Sequence, residues 1–399
     1  MTVIGERTAY ISGLGQSAVG RNLGRTEMSL TVEAITNAVA DAGLRLSDID
    51  GLVTYPTGGS GTAHGGFGGP SPAAVQDALG LELDFYSGSS DGAAQLQALV
   101  NACMAIATGL ARHVVVFRTV TEATAQGGGG RRGIGAGTAA VDGAFQYILP
   151  FGAVSAACWL APLARYHMDT FGLAREQLGQ LAVVSRANAQ LNPRALMRGR
   201  TLTLDDYLES RMIATPLCLF DCDIPCDGAT ALVVSHVDTV ADCPHVPVQV
   251  NALGTASRGR PSWDQWEDLA TFPGRGPAAH MWERTELTAA DVDSAHIYDG
   301  FSIITTLWLE ALGFCGTGEA GAFLDGGKRI SRDGELPLNT DGGQLSGGRL
   351  HGFGHLHEAA LQLRGDAGDR QLPTQPEVSV VTNGAGSTVG CALLTRGLT

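Results

Sequence analysis

The sequence predicts an α/β fold made of two similar halves, the first of which carries an insertion. Three observations predict it. Strand-like and helix-like stretches alternate along the chain, two sections echo each other in order, and one glycine-rich stretch breaks the pattern.

The elements read as follows. Residues 29–42 (SLTVEAITNAVADA) carry apolar residues at helical spacing and stop at Gly43, a helix-ending glycine. LSDIDGLVTYP is a turn leading into a strand, 92–108 is a largely apolar helix ended by Gly109, and HVVVF (113–117) is a buried strand of parallel-sheet type. The stretch 118–215 interrupts this order. It includes QGGGGRRGIGAG, too glycine-rich for an element interior, then helical patterns at 153–170 and 175–190. GLRLSDIDGLVTY (43–55) is echoed by TELTAADVDSAHIYDG (285–300): an acidic turn, a short apolar strand, an aromatic residue at its end. SGSSDGAAQLQALVNACMAIATGLARHVVVF is echoed by LSGGRLHGFGHLHEAALQLRG followed by VSVVTNG. The division expected is 1–245, with the insertion at about 118–215, and 246–399.

A chain of 399 residues, 44% hydrophobic and 17% charged, can bury a large core. Its net charge of −14 argues against nucleic acid and anionic membrane as partners, so an anionic ligand must be held by local basic groups or helix N-termini. No stretch approaches the run of about 18 apolar residues a membrane helix needs, and MTVIGERTAYISG lacks the pattern of a signal peptide; a cytoplasmic location is expected. The eight cysteines (103, 158, 218, 222, 226, 243, 315, 391) form no framework. Cys222 and Cys226 stand close together without a second ligand pair, so reduced, buried thiols are expected, and no metal site.

Several longer stretches carry a family signature together: YILPFG (147–152), residues 192–229, YDGFS (298–302), GGQLSGGRLHGFGHLHEA (342–359) and TNGAGST (382–388). They resemble the thiolase superfamily, in its lipid-transfer-protein branch. The resemblance spans nearly the whole chain. It implies two βαβαβαββ halves in a five-layer α-β-α-β-α arrangement with an inserted loop domain, a CoA thioester as ligand, and a homodimer.

The departures from that pattern point to the chemistry. The turn SGSSDG puts Ser89 where thiolases carry their nucleophilic cysteine, and Tyr298 replaces the His or Asn that helps form an oxyanion hole. Arg349 replaces the histidine that activates the cysteine, and Thr382 replaces the second catalytic cysteine. Cys103 and Cys391 are not substitutes by position. With these groups gone, thiolysis through an acyl-enzyme is not expected. A thioester whose enolate oxygen is stabilised still permits Cα–C cleavage without a nucleophile. A β-hydroxyacyl-CoA losing its hydroxyl proton collapses to a ketone or aldehyde and a thioester enolate. Cysteine-free members of this branch include steroid side-chain-cleaving aldolases that work with a small zinc-ribbon and OB-fold partner; the chain resembles these most closely.

Tyr298 suits either proton transfer, its phenol lowered from about 10 by a cation such as Arg349. His351 and His355, at i,i+4 spacing, are candidates for a proton relay or a hydrogen bond to substrate. Asp91 reads as a helix cap or substrate contact, and Arg131 and Arg132 beside four glycines as CoA phosphate ligands or a solvated loop. Phe353, Gly384 and Gly386 complete the expected substrate wall, and no cofactor is expected beyond the CoA of the substrate. A Ser89-dependent acyltransferase and a non-catalytic acyl-CoA-binding subunit are the competing readings.

Overall fold

A computed structural model of the chain describes residues 4–56, 65–89, 93–127, 146–260, 262–386 and 388–397. In chain order its elements are β1 (Ala9–Gln16), α1 (Glu27–Asp41), β2 (Gly51–Thr54), α2 (Pro72–Leu79), β3 (Phe85–Gly88), α3 (Gln97–Ala107), β4 (His113–Thr121) and α4 (Glu122–Ala125). The inserted region adds α5 (Ala156–Phe171), α6 (Arg175–Ala189), α7 (Leu204–Leu208) and a ribbon of β5 (Met212–Ala214) with β6 (Leu217–Cys218). Then come β7 (Asp227–His236), β8 (Val248–Gly254), α8 (Arg275–Trp282), β9 (Ser294–His296), α9 (Ser302–Leu312), α10 (Ala320–Leu324), α11 (Phe353–Arg364), β10 (Val378–Asn383) and β11 (Gly390–Arg396).

The strands form one nine-stranded sheet in the order β3-β2-β4-β7-β1-β8-β11-β10-β9, the first five from the first half and the last four from the second. Among the described residues two antiparallel pairs, Tyr10↔Gln249 and Ile11↔Val248, join the halves edge to edge through β1 and β8. The echo seen in the sequence is visible here. β3 lies parallel beside β2, and at the corresponding edge of the second half Leu338 makes a parallel bridge to Ala295 of β9.

Strand β4 shows why the chain layers as it does. Val114 and Val116 enter a central core with α3 and α11, while Val115 and Phe117 enter an outer core with α1. A strand covered by helices on both faces must be apolar on both, and removing each such side chain from water contributes about 1.5–3 kcal/mol. The second half repeats this arrangement. Val381 of β10 and Ala392 and Leu394 of β11 face the central core, whereas Val380, Cys391 and Leu393 face a third core built on α8, α9 and the inserted helices α5 and α6. The result is the expected five layers, with α3 and α11 sandwiched between the two halves of the sheet: a thiolase fold.

Local signals place the ends of the helices. Thr26 caps α1 by accepting the Ser29 N–H at 3.1 Å, and Gly43 follows it at φ 71°. The helix expected over 92–108 is regular only from Gln97, preceded by a 3₁₀ turn at Ala94–Leu96. β4 continues to Thr121, past the expected start of the insertion at 118. No helix among the described residues is long and apolar enough to cross a membrane.

Candidate active site

The centre of the site is the end of β9. Beyond His296 the chain is held by side chains where neighbouring strands are lacking. Asn339 brackets Ile297, accepting its N–H at 2.8 Å and donating to its carbonyl at 2.9 Å. Tyr298 N–H donates to Thr382 Oγ1 at 3.0 Å. Thr382, at the second cysteine position of the thiolases, therefore ties the tyrosine to β10. Asp299 turns the other way. Its carboxylate accepts the N–H groups of Gln344 (2.9 Å) and Leu345 (3.2 Å) in a π-helical turn, Gly343–Gly347. A Cβ on Gly343, whose φ is 54°, would stand 2.1 Å from Asp299 Oδ2, so this seat requires glycine. His355 Nε2 lies 3.1 Å from Asp299 Oδ1, off the line of a well-formed hydrogen bond. Burial works against charging His355, but the carboxylates of Asp299, Asp341 and Glu358 outweigh it and hold the imidazole above its ordinary value.

The opposite wall comes from β4, α4 and the 348–352 turn. Arg349 spans two carboxylates, Nη2 to Glu122 Oε1 at 2.7 Å and Nη1 to Asp223 Oδ1 at 3.4 Å. Burial disfavours the Glu122 charge, yet Arg349, His351 and Arg118 hold its carboxyl well below the usual range. His351, strained into the left-handed region at φ 51°, places Nδ1 3.2 Å from Gln95 Nε2 and Nε2 3.5 Å from Glu122 Oε2. Its ring meets Phe67 edge to face at 4.4 Å. Burial pushes the His351 imidazole down to about 3, so it is neutral at neutral pH. Arg118, in the same wall, is 1% exposed and lies over the Phe67 ring at 4.7 Å.

The structure brings Tyr298, His351, His355, Arg349 and Thr382 into one region but divides their partners differently from the sequence reading. Arg349 is committed to Glu122 and Asp223. His351 and His355 do not share a helix face. α11 begins at Phe353, which leaves His351 in the preceding turn, directed at Glu122, while His355 is directed at Asp299. Ser89 follows β3, its N–H donating to Thr54 O at 3.3 Å. Phe353 is wholly buried in the central core, a packing position. Gly384 and Gly386 shape the loop after β10 at φ 81° and 78°. Asp91, Arg131 and Arg132 lie outside the described residues. Burial raises the Cys103 and Cys391 thiols, which makes both poor nucleophiles. Among the described residues no three His, Cys, Asp or Glu side chains are arranged to hold a metal ion. A cleft of about 340 Å³ opens among Gln16, Asn192, Arg194, Asp341, Gln344 and His355, and Tyr298 does not line it.

Sequence reasoning missed Arg118, Glu122, Gln95 and Asn383. Arg118 did leave a signal, a charge inside the apolar run HVVVFRTVT. Asn383 is wholly buried, its amide without a hydrogen-bond partner among the described residues, and a Cβ on Gly352 would come within 1.7 Å of its Oδ1. Glu122 and Gln95 had no local signal, because their partners come from the other half.

The layered fold and the site at the end of β9 define a thiolase relative. A family model described as thiolase C-terminal domain-like matches residues 255–395. The chain is 36% identical over 373 residues to a steroid side-chain-cleaving aldolase of Thermomonospora curvata, covering 90% of each chain. It is 37% identical over 370 residues to the 17-hydroxy-3-oxo-4-pregnene-20-carboxyl-CoA lyase of Mycobacterium tuberculosis, covering 90% of this chain and 92% of that one. The solved Ltp2-ChsH2(DUF35) aldolase superposes with a TM-score of 0.86 at 34% identity, over 98% of this chain and 99% of that one. The chain belongs to the steroid side-chain-cleaving aldolases of the thiolase superfamily, and is a carbon–carbon lyase.

Proposed function

We propose that the chain cleaves the Cα–Cβ bond of a β-hydroxyacyl-CoA carrying a steroid or similarly bulky ring system, giving a ketone or aldehyde and a shorter acyl-CoA. The observation that carries this reading is Tyr298, pinned through its N–H to Thr382 at the end of β9 with its ring over Gly300. With its phenol ionised, Tyr298 takes the β-hydroxyl proton. The O–H electron pair becomes part of the new C=O, and the Cα–Cβ pair passes to the thioester as an enolate. A proton returned to Cα completes the shorter acyl-CoA. Neutral His351 acts as a hydrogen-bond donor or proton relay. His355 holds Asp299 and with it the end of the strand.

In this reading the two halves, 1–245 and 246–399, both contribute to the site. Gly384 and Gly386 border the acyl group, Asp91 supports the substrate, Phe353 backs the site from within the core, Arg131 and Arg132 hold the CoA phosphates, and no cofactor takes part. The relatives named as aldolase and CoA lyase support this substrate class, and the Ltp2-ChsH2(DUF35) complex supports a small acyl-CoA-associated partner, of zinc-ribbon and OB-fold type, beside a homodimer. A cytoplasmic location goes with such a substrate.

The test is Tyr298→Phe, which keeps the ring and removes only the hydroxyl. Release of the shorter acyl-CoA should fall by roughly 10²- to 10⁴-fold with acyl-CoA affinity and melting temperature unchanged. Cleavage at the wild-type rate would remove Tyr298 from the mechanism.

A further inference from the structure

We propose that Gln95 is a positioning residue for His351, fixing which of its ring nitrogens carries the proton. This rests on the reading of His351 as a group that meets the substrate. The two residues stand before the two central helices, Gln95 in the 3₁₀ turn ahead of α3 and His351 in the turn ahead of α11, so their contact joins the halves inside the site. Gln95 Nε2 lies 3.2 Å from His351 Nδ1, and each residue is 5% exposed.

The other edge of the ring decides the direction of that contact. His351 Nε2 lies 3.5 Å from Glu122 Oε2, and Glu122, paired with Arg349 at 2.7 Å, is a carboxylate that can only accept. Burial keeps the imidazole neutral, and a neutral ring turns its N–H toward the carboxylate. Nε2 therefore carries the proton and Nδ1 is bare. Nδ1 accepts from the Gln95 amide, whose Oε1 has no partner among the described residues. The approach of Nε2 to Glu122 falls short of a formed hydrogen bond, which leaves this N–H to donate to the thioester oxygen as it takes up charge. His351 is then a donor in the cleavage, and not the base.

Both partners are held by their surroundings. Ala93 N–H donates to Gln97 Oε1 at 3.1 Å, and a Cβ on Gly390 of β11 would come within 2.8 Å of Ala93 Cβ, so the Gln95 turn is seated on the sheet. His351 sits at φ 51°, and the adjoining Gly352 has no room for a Cβ against Asn383 of β10. A turn fixed in this way cannot easily re-aim the ring, and the group at Nδ1 sets its protonation pattern.

Long-range proton–nitrogen NMR spectra of protein carrying isotope-labelled histidine read the two ring nitrogens without substrate, the His351 signals being those lost in His351→Gln. In wild type Nε2 should be protonated and Nδ1 bare. Gln95→Met, close in volume, removes the donor and should move the Nδ1 signal toward that of a nitrogen without a hydrogen bond. Its kcat should fall roughly 10- to 100-fold, as when a histidine at a metal site loses its outer partner, with KM for the acyl-CoA nearly unchanged. A protonated Nδ1 in wild type overturns the proposal even if Gln95→Met fails to fold. An unmoved Nδ1 signal or wild-type turnover in Gln95→Met overturns it as well, while loss of turnover in Tyr298→Phe would still uphold the reading of the reaction.

Discussion

Tyr298 folds its ring over Gly300: a Cβ at Gly300 would lie 2.8 Å from Cε1 and 3.2 Å from the hydroxyl of the tyrosine. Because Gly300 has no positive φ to forbid alanine, Gly300→Ala tests the ring's place rather than the backbone. A methyl group there must displace the phenol. Turnover should fall by roughly 10²-fold, the usual cost of misplacing a reacting group by about 1 Å, with little change in the melting temperature.

The pair formed by Arg349 and Glu122 is buried, with side-chain exposures of 11% and 0%. Arg349→Met leaves Glu122 and Asp223 without their cation, and stability in urea should drop by about 3–5 kcal/mol. Glu122→Gln combined with Arg349→Met should cost less than the sum of the two changes. Strict additivity in that double-mutant cycle would show the pair to be uncoupled.

Three buried histidines should make this protein sensitive to acid. Burial lowers His296, His351 and His357 from an ordinary 6.5 to about 3. Between those values the unfolded chain binds protons that the folded chain cannot, so stability falls as pH drops from 6.5 toward 3. His355, held above its ordinary value, acts in the opposite sense: its contribution is full below 6.5 and fades as pH rises. Among the described residues His296 has no partner for either ring nitrogen, so His296→Leu should preserve folding and make the acid slope of the melting temperature shallower. An unchanged slope would show that His296 does not titrate in this way.

Ser89→Ala should keep most of the activity, and iodoacetamide should not abolish turnover. The Cys103 and Cys391 thiols are buried and raised, and Arg349, at the position of the activating histidine, is held by carboxylates and cannot serve Ser89 as a base. An acyl-enzyme detected by mass, or loss of kcat by several orders of magnitude in Ser89→Ala, would favour an acyltransferase.

Much of this was legible in the chain itself. The alternating elements, the two echoing sections and the inserted helices follow from periodicity and glycine placement, which are local properties, and the expectation of missing catalytic thiols follows from the resemblance to the thiolase motifs. The partners of Arg349 were not legible. Only the packing of the first half on the second shows that it is spent on Glu122 and Asp223. The separation of His351 from His355 was likewise a tertiary decision. Helical spacing predicts a shared face, but the buried carboxylates Glu122 and Asp299, brought from different halves, draw the two rings apart, and a buried polar group takes the partner that the fold supplies. Sequence periodicity determines which face a residue presents to the core; what it meets there is decided by chain segments far away along the sequence.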